Sequence, residues 1–388
     1  MGGGDCEFVV VGAGALGLSA ARALARRGRE VVVCEQAAVG HGGSGSKGSA
    51  RIFRLGYDDP AYVRLAVTAQ RLWGELEDES QTTLLTTTGQ VTVGDDLDVL
   101  AAAMAAGGAP FQRLAPDEVT ARFPALSVAT AAVYEPASGV IAADRALAAL
   151  GQAGGVEIRE QTRVTRLDDT GSAVHVVTRT PEKEVVLRAS AVVVCAGPWT
   201  GPLVSAAGVD LPSWPTLEQV AYLAPRVGSV DDVPVFVERR RPWFYGLPVR
   251  AGGLVKVSFH GAGPVVVPDR PDGDGDPEDP DPALVAALTA SAHRLLPGLA
   301  PEAVATERCV YDSSPDGDFV LDRVGSIVVG SGTSGHGFKF APLIGEVLAD
   351  LATGADVGRE LGAAGEMGRF ALGRLRSAGG GRGPTVHP

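Results

Sequence analysis

Short unbroken apolar runs, each followed by glycine, organise this chain. Phe8-Val9-Val10-Val11 is apolar at every position and runs straight into Gly12-Ala13-Gly14-Ala15-Leu16-Gly17. A run with no polar alternation predicts a parallel strand buried on both faces. Over residues 18–27 the period changes, and Ala, Leu and Arg recur at helical spacing. Residues 30–34 form a second strand-like run, with Glu35 at its end. The same design returns twice. Ala191-Val192-Val193-Val194-Cys195 leads into Ala196-Gly197-Pro198-Trp199. Ile327-Val328-Val329-Gly330 leads through Gly332, Gly335 and Gly337 into a helix expected over 342–351. Between these units, residues 156–187 read as a meander of short strands turning at Asp168-Asp169-Thr170-Gly171.

The first unit carries chemistry. Gly12 permits the tight turn, Gly14 lets backbone approach a pyrophosphate, and Gly17 lets the helix pack close to the strand. The helix N-terminus then faces the phosphates. Glu35 is placed for ribose hydroxyls and disfavours a 2′-phosphate. Glycines, helix, second strand and acid at this spacing predict a dinucleotide site, either FAD or NAD. A flavin has two ends to hold, so a distant second strand–glycine–helix unit suits FAD better.

Composition narrows the class. The chain has 388 residues, enough for about two domains. Its net charge of −12 excludes a basic nucleic-acid surface or a polybasic membrane patch. No apolar run is long enough to span a bilayer, and the N-terminus has no signal-peptide pattern. Cys6, Cys34, Cys195 and Cys309 show no C-x-x-C spacing, which suits a reducing cytoplasm. Asp272, Asp274 and Asp276 suggest a calcium loop, but Pro277 and Ala283 stand where its Gly and Glu belong. Residues 269–282 are therefore expected to be a solvated loop with no metal site, and 377–388 a disordered tail.

Two further stretches hold polar residues among apolar ones. In Arg51-Ile52-Phe53-Arg54-Leu55-Gly56-Tyr57 the two arginines and the tyrosine are three apart, which would align them on one face of a helical turn. Lys256 stands inside Leu254-Val255-Lys256-Val257-Ser258-Phe259-His260, although a lysine on a strand usually faces water. Cys309-Val310-Tyr311 and Ser334-Gly335-His336-Gly337-Phe338-Lys339-Phe340 complete the set.

On these motifs the chain resembles the monomeric sarcosine oxidase and N-methyltryptophan oxidase group, FAD-dependent amine oxidases within the D-amino acid oxidase superfamily. The resemblance runs from residue 7 to about 354. It implies an α/β fold: a Rossmann-like FAD-binding domain and a second, mixed-sheet α+β substrate domain. The expected boundaries are 1–85, 145–212 and 308–376 for the first, and 86–144 and 213–307 for the second.

The resemblance also assigns roles. Cys309 matches the cysteine that forms a thioether to the flavin. Arg54 and Lys339 match the cations that hold the substrate carboxylate, with Tyr57 and Phe236 beside the substrate. Lys256 and Arg51 match the positive groups that stabilise charge as oxygen is reduced. Tyr245, His260 and Tyr311 match cavity-lining residues. Cofactor contacts are expected from Gly12, Gly14, Gly17, Glu35, Ser44 and Ser49, with Arg51, Val164 and Gly197. Cys309, Gly335, His336, Gly337, Phe338 and Lys339 complete that set. Phe236 stands where simple sarcosine oxidases carry methionine, and Arg239-Arg240-Arg241 follows it, as a solvated hairpin or as part of a pocket mouth.

The implied reaction is oxidation of a secondary or cyclic amino acid to an imine, with oxygen reduced to hydrogen peroxide. The rivals are an NAD-dependent dehydrogenase, an FAD amino acid dehydrogenase using another acceptor, and a non-catalytic flavin subunit. The expected partners are a small amino acid and molecular oxygen; a monomer is slightly favoured.

Overall fold

The three glycine-terminated strands become neighbours in one sheet. Asp5–Val11 lies between Glu184–Val194 and Val31–Cys34, parallel to both. Ile327–Ser331 pairs in parallel with the other side of Glu184–Val194. All three strands therefore reach their glycine turns at the same carboxyl end of the sheet, where open α/β sheets bind ligands. Residues 4–267, 280–357 and 367–376 are described by this computed structural model. Most of the expected loop 269–282 and all of the tail 377–388 lie outside them; Asp281, at the loop's end, caps the Pro282–Leu295 helix.

The Ala15–Arg26 helix follows Gly14 and packs on Ala341–Thr353. Gly345 makes that approach possible: a Cβ there would fall 2.5 Å from the carbonyl carbon of Ser19. Leu18, Leu24, Ile344, Val347 and Leu348 are buried in the shared core, each contributing roughly 1.5–3 kcal/mol. Arg27 closes the end of the contact, donating to Glu346 at 2.7 Å and Asp350 at 2.6 Å.

The second large sheet is mixed. Its strands run in the order Leu299–Ser313, Trp214–Pro225, Leu254–Phe259, Phe244–Val249, Val235–Arg239, Gln90–Gly94, Ala132–Glu135 and Gln112–Leu114. All neighbours are antiparallel except Val235–Arg239 on Gln90–Gly94. Cys309 lies within the long Leu299–Ser313 strand, opposite Glu218. The boundary expected between residues 307 and 308 thus falls inside one strand.

Residues 51–57 correct an expectation. Ala50–Phe53 is a strand paired with Gly139–Ala142, and no helical turn follows it. Ile52 and Phe53 suit a pleated strand, and pairing with residues 139–142 overrides the three-residue spacing. Among the described residues no helix is long and apolar enough to cross a membrane, and no His/Cys/Asp/Glu cluster could hold a metal.

Candidate active site

Where the two sheets meet is a cavity of about 450 Å³. Its wall includes Gly12, Gly14 and Glu35 from the first glycine unit, and Gly335, Gly337, Phe338 and Lys339 from the last. Cys309, Lys256, Arg51 and Arg54 line the same space. So do Tyr245, His260, Tyr311, Ser44, Val164 and Gly197.

At one end, Gly17 fits only as glycine, since a Cβ would stand 1.9 Å from the carbonyl oxygen of Gly12. Gly14 caps the helix without a side chain, so the first turn stays open to an anion. Ser46 Oγ accepts the Ala15 N–H at 3.0 Å. Glu35 is buried, and its oxygens accept the Ala13 and Ala37 N–H groups at 2.8 and 3.1 Å. Each oxygen keeps a further lone pair for a hydroxyl.

At the other end, cations collect. Lys339 is 6% exposed, and its Nζ donates to the His336 carbonyl at 3.0 Å. Burial holds its amine well below the ordinary lysine range, and the nearby Arg54 pushes in the same direction. Neither residue forms an ion pair among the described residues, so the two present a site for an anion.

Lys256 is also buried, on the Leu254–Phe259 strand. Burial brings its amine down to about 8, Arg51 adds to that, and Cys309 and Glu307 oppose it. The Arg51 guanidinium donates to the carbonyls of Ala50, Gly45 and Lys47 and lies 5.6 Å from the Phe338 ring centroid. The Cys309 thiol is free and half-buried. Burial pushes its pKa up, while Arg51 and Lys256 pull it down. Burial also raises Tyr245 and Tyr311, keeping both phenols neutral.

Three expected contacts stand elsewhere, and a fourth only borders the cavity. Phe236 packs into the core against Phe244, and Val237 takes the cavity face. Strand alternation is the cause, because Val237 is the residue opposite Tyr245. Tyr57 is fully buried beneath Arg54, stacked on Tyr62. Ser49 does not line the cavity; its carbonyl accepts the Ala143 N–H, and Ser46 faces the helix end instead. The His336 turn borders the cavity, but its imidazole stacks on Phe319 and meets Tyr57 Oη at 3.4 Å.

Asp312 and Trp243 line the cavity without having been singled out. Asp312 Oδ2 accepts from Ser331 Oγ at 2.7 Å and Gly332 N at 2.8 Å, while Oδ1 is buried without a partner. Burial pushes its carboxyl up to about 6. An acid directly after Cys309-Val310-Tyr311 was the available signal.

A profile of the family described as FAD dependent oxidoreductase matches residues 7–351. The chain belongs to this family. It is 31% identical to the human peroxisomal sarcosine oxidase over 371 residues, covering 89% of this chain and 92% of that protein. It is 30% identical to the monomeric sarcosine oxidase of Bacillus sp. (strain B-0618), with 89% and 92% covered. The solved open form of NikD, an unusual amino acid oxidase essential for nikkomycin biosynthesis, superposes with a TM-score of 0.79. That match covers 95% of this chain and 97% of NikD at 26% identity. The protein is therefore an FAD-dependent, sarcosine oxidase-like amine oxidase. The residues present fit that cofactor: an open helix end for its phosphates, Glu35 for its ribose, and a cavity continuing to Lys256 and Cys309.

Proposed function

We propose that this enzyme oxidises an amino acid carrying a secondary or cyclic amine and passes the electrons to oxygen. The observation that carries the proposal is the pair Arg54 and Lys339, both without carboxylate partners among the described residues, in the same cavity as Lys256 and Cys309. A buried lysine beside a half-buried arginine, with no carboxylate between them, is costly unless an anion completes the pair. The substrate carboxylate is that anion.

FAD supplies the two-electron acceptor when bound. Arg54 and Lys339 anchor the carboxylate, so the amine and its carbons are held at a fixed distance from the clamp. Tyr245, His260 and Tyr311 wall the space and exclude water. The low-lying Lys256 amine and the Arg51 guanidinium offer preorganised positive charge where oxygen becomes negative. No side chain is assigned as an obligate base. Cys309 is the proposed covalent anchor, its thiol turned to the cavity beside two cations that favour the thiolate.

A peroxide-coupled screen of N-methyl and cyclic amino acids against simple amines tests the proposal. Turnover confined to the amino acids supports it. Equal turnover of amines lacking a carboxylate removes the role of Arg54 and Lys339.

A further inference from the structure

Beyond the carboxylate clamp, the cavity has an aromatic wall whose position is fixed by an ion pair. Val237 stands opposite Tyr245, and Leu247 opposite Lys256. Alternation therefore puts Val237, Arg239, Trp243, Tyr245 and Lys256 on one face of the second sheet. Trp243 adjoins the Phe244–Val249 strand, and its carbonyl accepts the His260 N–H at 2.8 Å.

Arg239 is 3% exposed, and its two terminal nitrogens grip Asp58 at 2.7 and 2.6 Å. Its guanidinium carbon lies 4.6 Å from the Trp243 ring centroid. The backbone is pinned as well: the Arg239 carbonyl accepts the Asp95 N–H at 3.0 Å. Arg240 and Arg241 are exposed, so only the first member of the triplet is recruited.

Asp58 belongs to the segment that carries Arg54 and Tyr57. One bidentate pair thus ties the indole wall to the clamp that holds the substrate carboxylate. A buried ion pair adds little net stability over an apolar pair of similar volume. Its use here is to set a distance.

We infer that Trp243, positioned by the Arg239–Asp58 pair, selects amino acids bearing an aromatic or ring-sized apolar group over those as small as sarcosine. This rests on the carboxylate site proposed above. Trp243 and Val237 offer apolar surface to such a group, and a small substrate leaves that surface unfilled.

The test is a ladder of sarcosine, N-methylalanine and N-methylphenylalanine with the FAD-loaded enzyme. The expected kcat/KM rises at least about tenfold from first to last. Trp243→Ala collapses that ratio. Arg239→Ala raises KM for N-methylphenylalanine more than it lowers kcat. Arg239→Lys restores little, because lysine lacks the two-pronged fork. A purely structural role for Arg239 would instead lower turnover of all three substrates alike. A flat ladder, or a ratio that survives Trp243→Ala, overturns the inference. Binding of phenylacetate against acetate, read from the visible flavin spectrum, provides an arm without turnover. If no N-methyl or cyclic amino acid is oxidised, the proposed function fails. Tighter binding of phenylacetate, lost in Trp243→Ala, still upholds the wall, and equal binding of the two acids overturns it.

Discussion

The guanidinium carbon of Arg54 lies 4.3 Å from the centroid of the Tyr57 ring. Tyr57 is wholly buried and in turn stacks on Tyr62. The proposed carboxylate clamp therefore rests on an aromatic floor, with its cation held by the face of a ring that cannot shift. Tyr57→Leu is expected to raise KM for an amino acid substrate about three- to thirtyfold, the range of a partly desolvated cation–π contact. Tyr57→Phe keeps the ring and should stay near wild type. Steady-state kinetics of the two variants check this; equal effects would mean that the ring face does not position Arg54.

Lys256 gives a pH dependence with a definite sign. Burial holds its amine near 8, so it is charged below that pH and neutral above it. The rate at which oxygen reoxidises the reduced enzyme is expected to fall as pH rises through about 8. Lys256→Met should be slower by about 10²–10³-fold and lose that limb, as expected for removing one preorganised charge. Stopped-flow mixing with oxygen across pH 6.5–9.5 measures both. A wild-type-like rate in the variant would remove Lys256 from the oxygen step.

Cys309→Ser is expected to leave FAD exchangeable. Acid precipitation of the wild-type enzyme should then give a yellow pellet, and of the variant a colourless pellet under a yellow supernatant. Colour in the wild-type supernatant would show that the thiol makes no bond to the cofactor.

Asp312 predicts a stability effect in the cofactor-free chain. Its carboxyl is pushed up from 3.8 to about 6, so the folded state favours the neutral form. That contribution is complete below about pH 4 and is lost as pH rises through 6, at a cost of up to about 3 kcal/mol. Asp312→Asn keeps an oxygen for Ser331 and Gly332 and removes the charge. Relative to wild type, the variant should gain Tm at pH 7.5 and not at pH 4.5. Parallel pH profiles of the two proteins would contradict this.

Local pattern revealed the residues whose chemistry is local. The Gly12–Gly17 turn, Glu35 and the strand–glycine unit ending at Gly330 could be read because backbone geometry demands those residues at those spacings. Lys256 was conspicuous because a charge breaks an otherwise apolar strand. Residues whose direction depends on a distant partner were not legible. Whether Phe236 or Val237 faces the cavity is decided by pairing with Gly246 and Tyr245, and a one-residue slip exchanges them. Arg51 and Arg54 matched a helical spacing, yet pairing with residues 139–142 made a strand. The Arg239–Asp58 contact joins residues 181 positions apart, so no window of sequence contains it.

An anaerobic titration of the purified flavoprotein with N-methyl and cyclic amino acids, followed by admission of air, tests the central claim most directly. The expected result is bleaching of the flavin's visible absorbance by at least one of these amino acids. Its return in air should release one hydrogen peroxide per flavin, and Arg54→Ala or Lys339→Ala should need far more substrate. Flavin that stays oxidised with every such amino acid, or that bleaches in both variants at the substrate concentration wild type needs, would contradict the account.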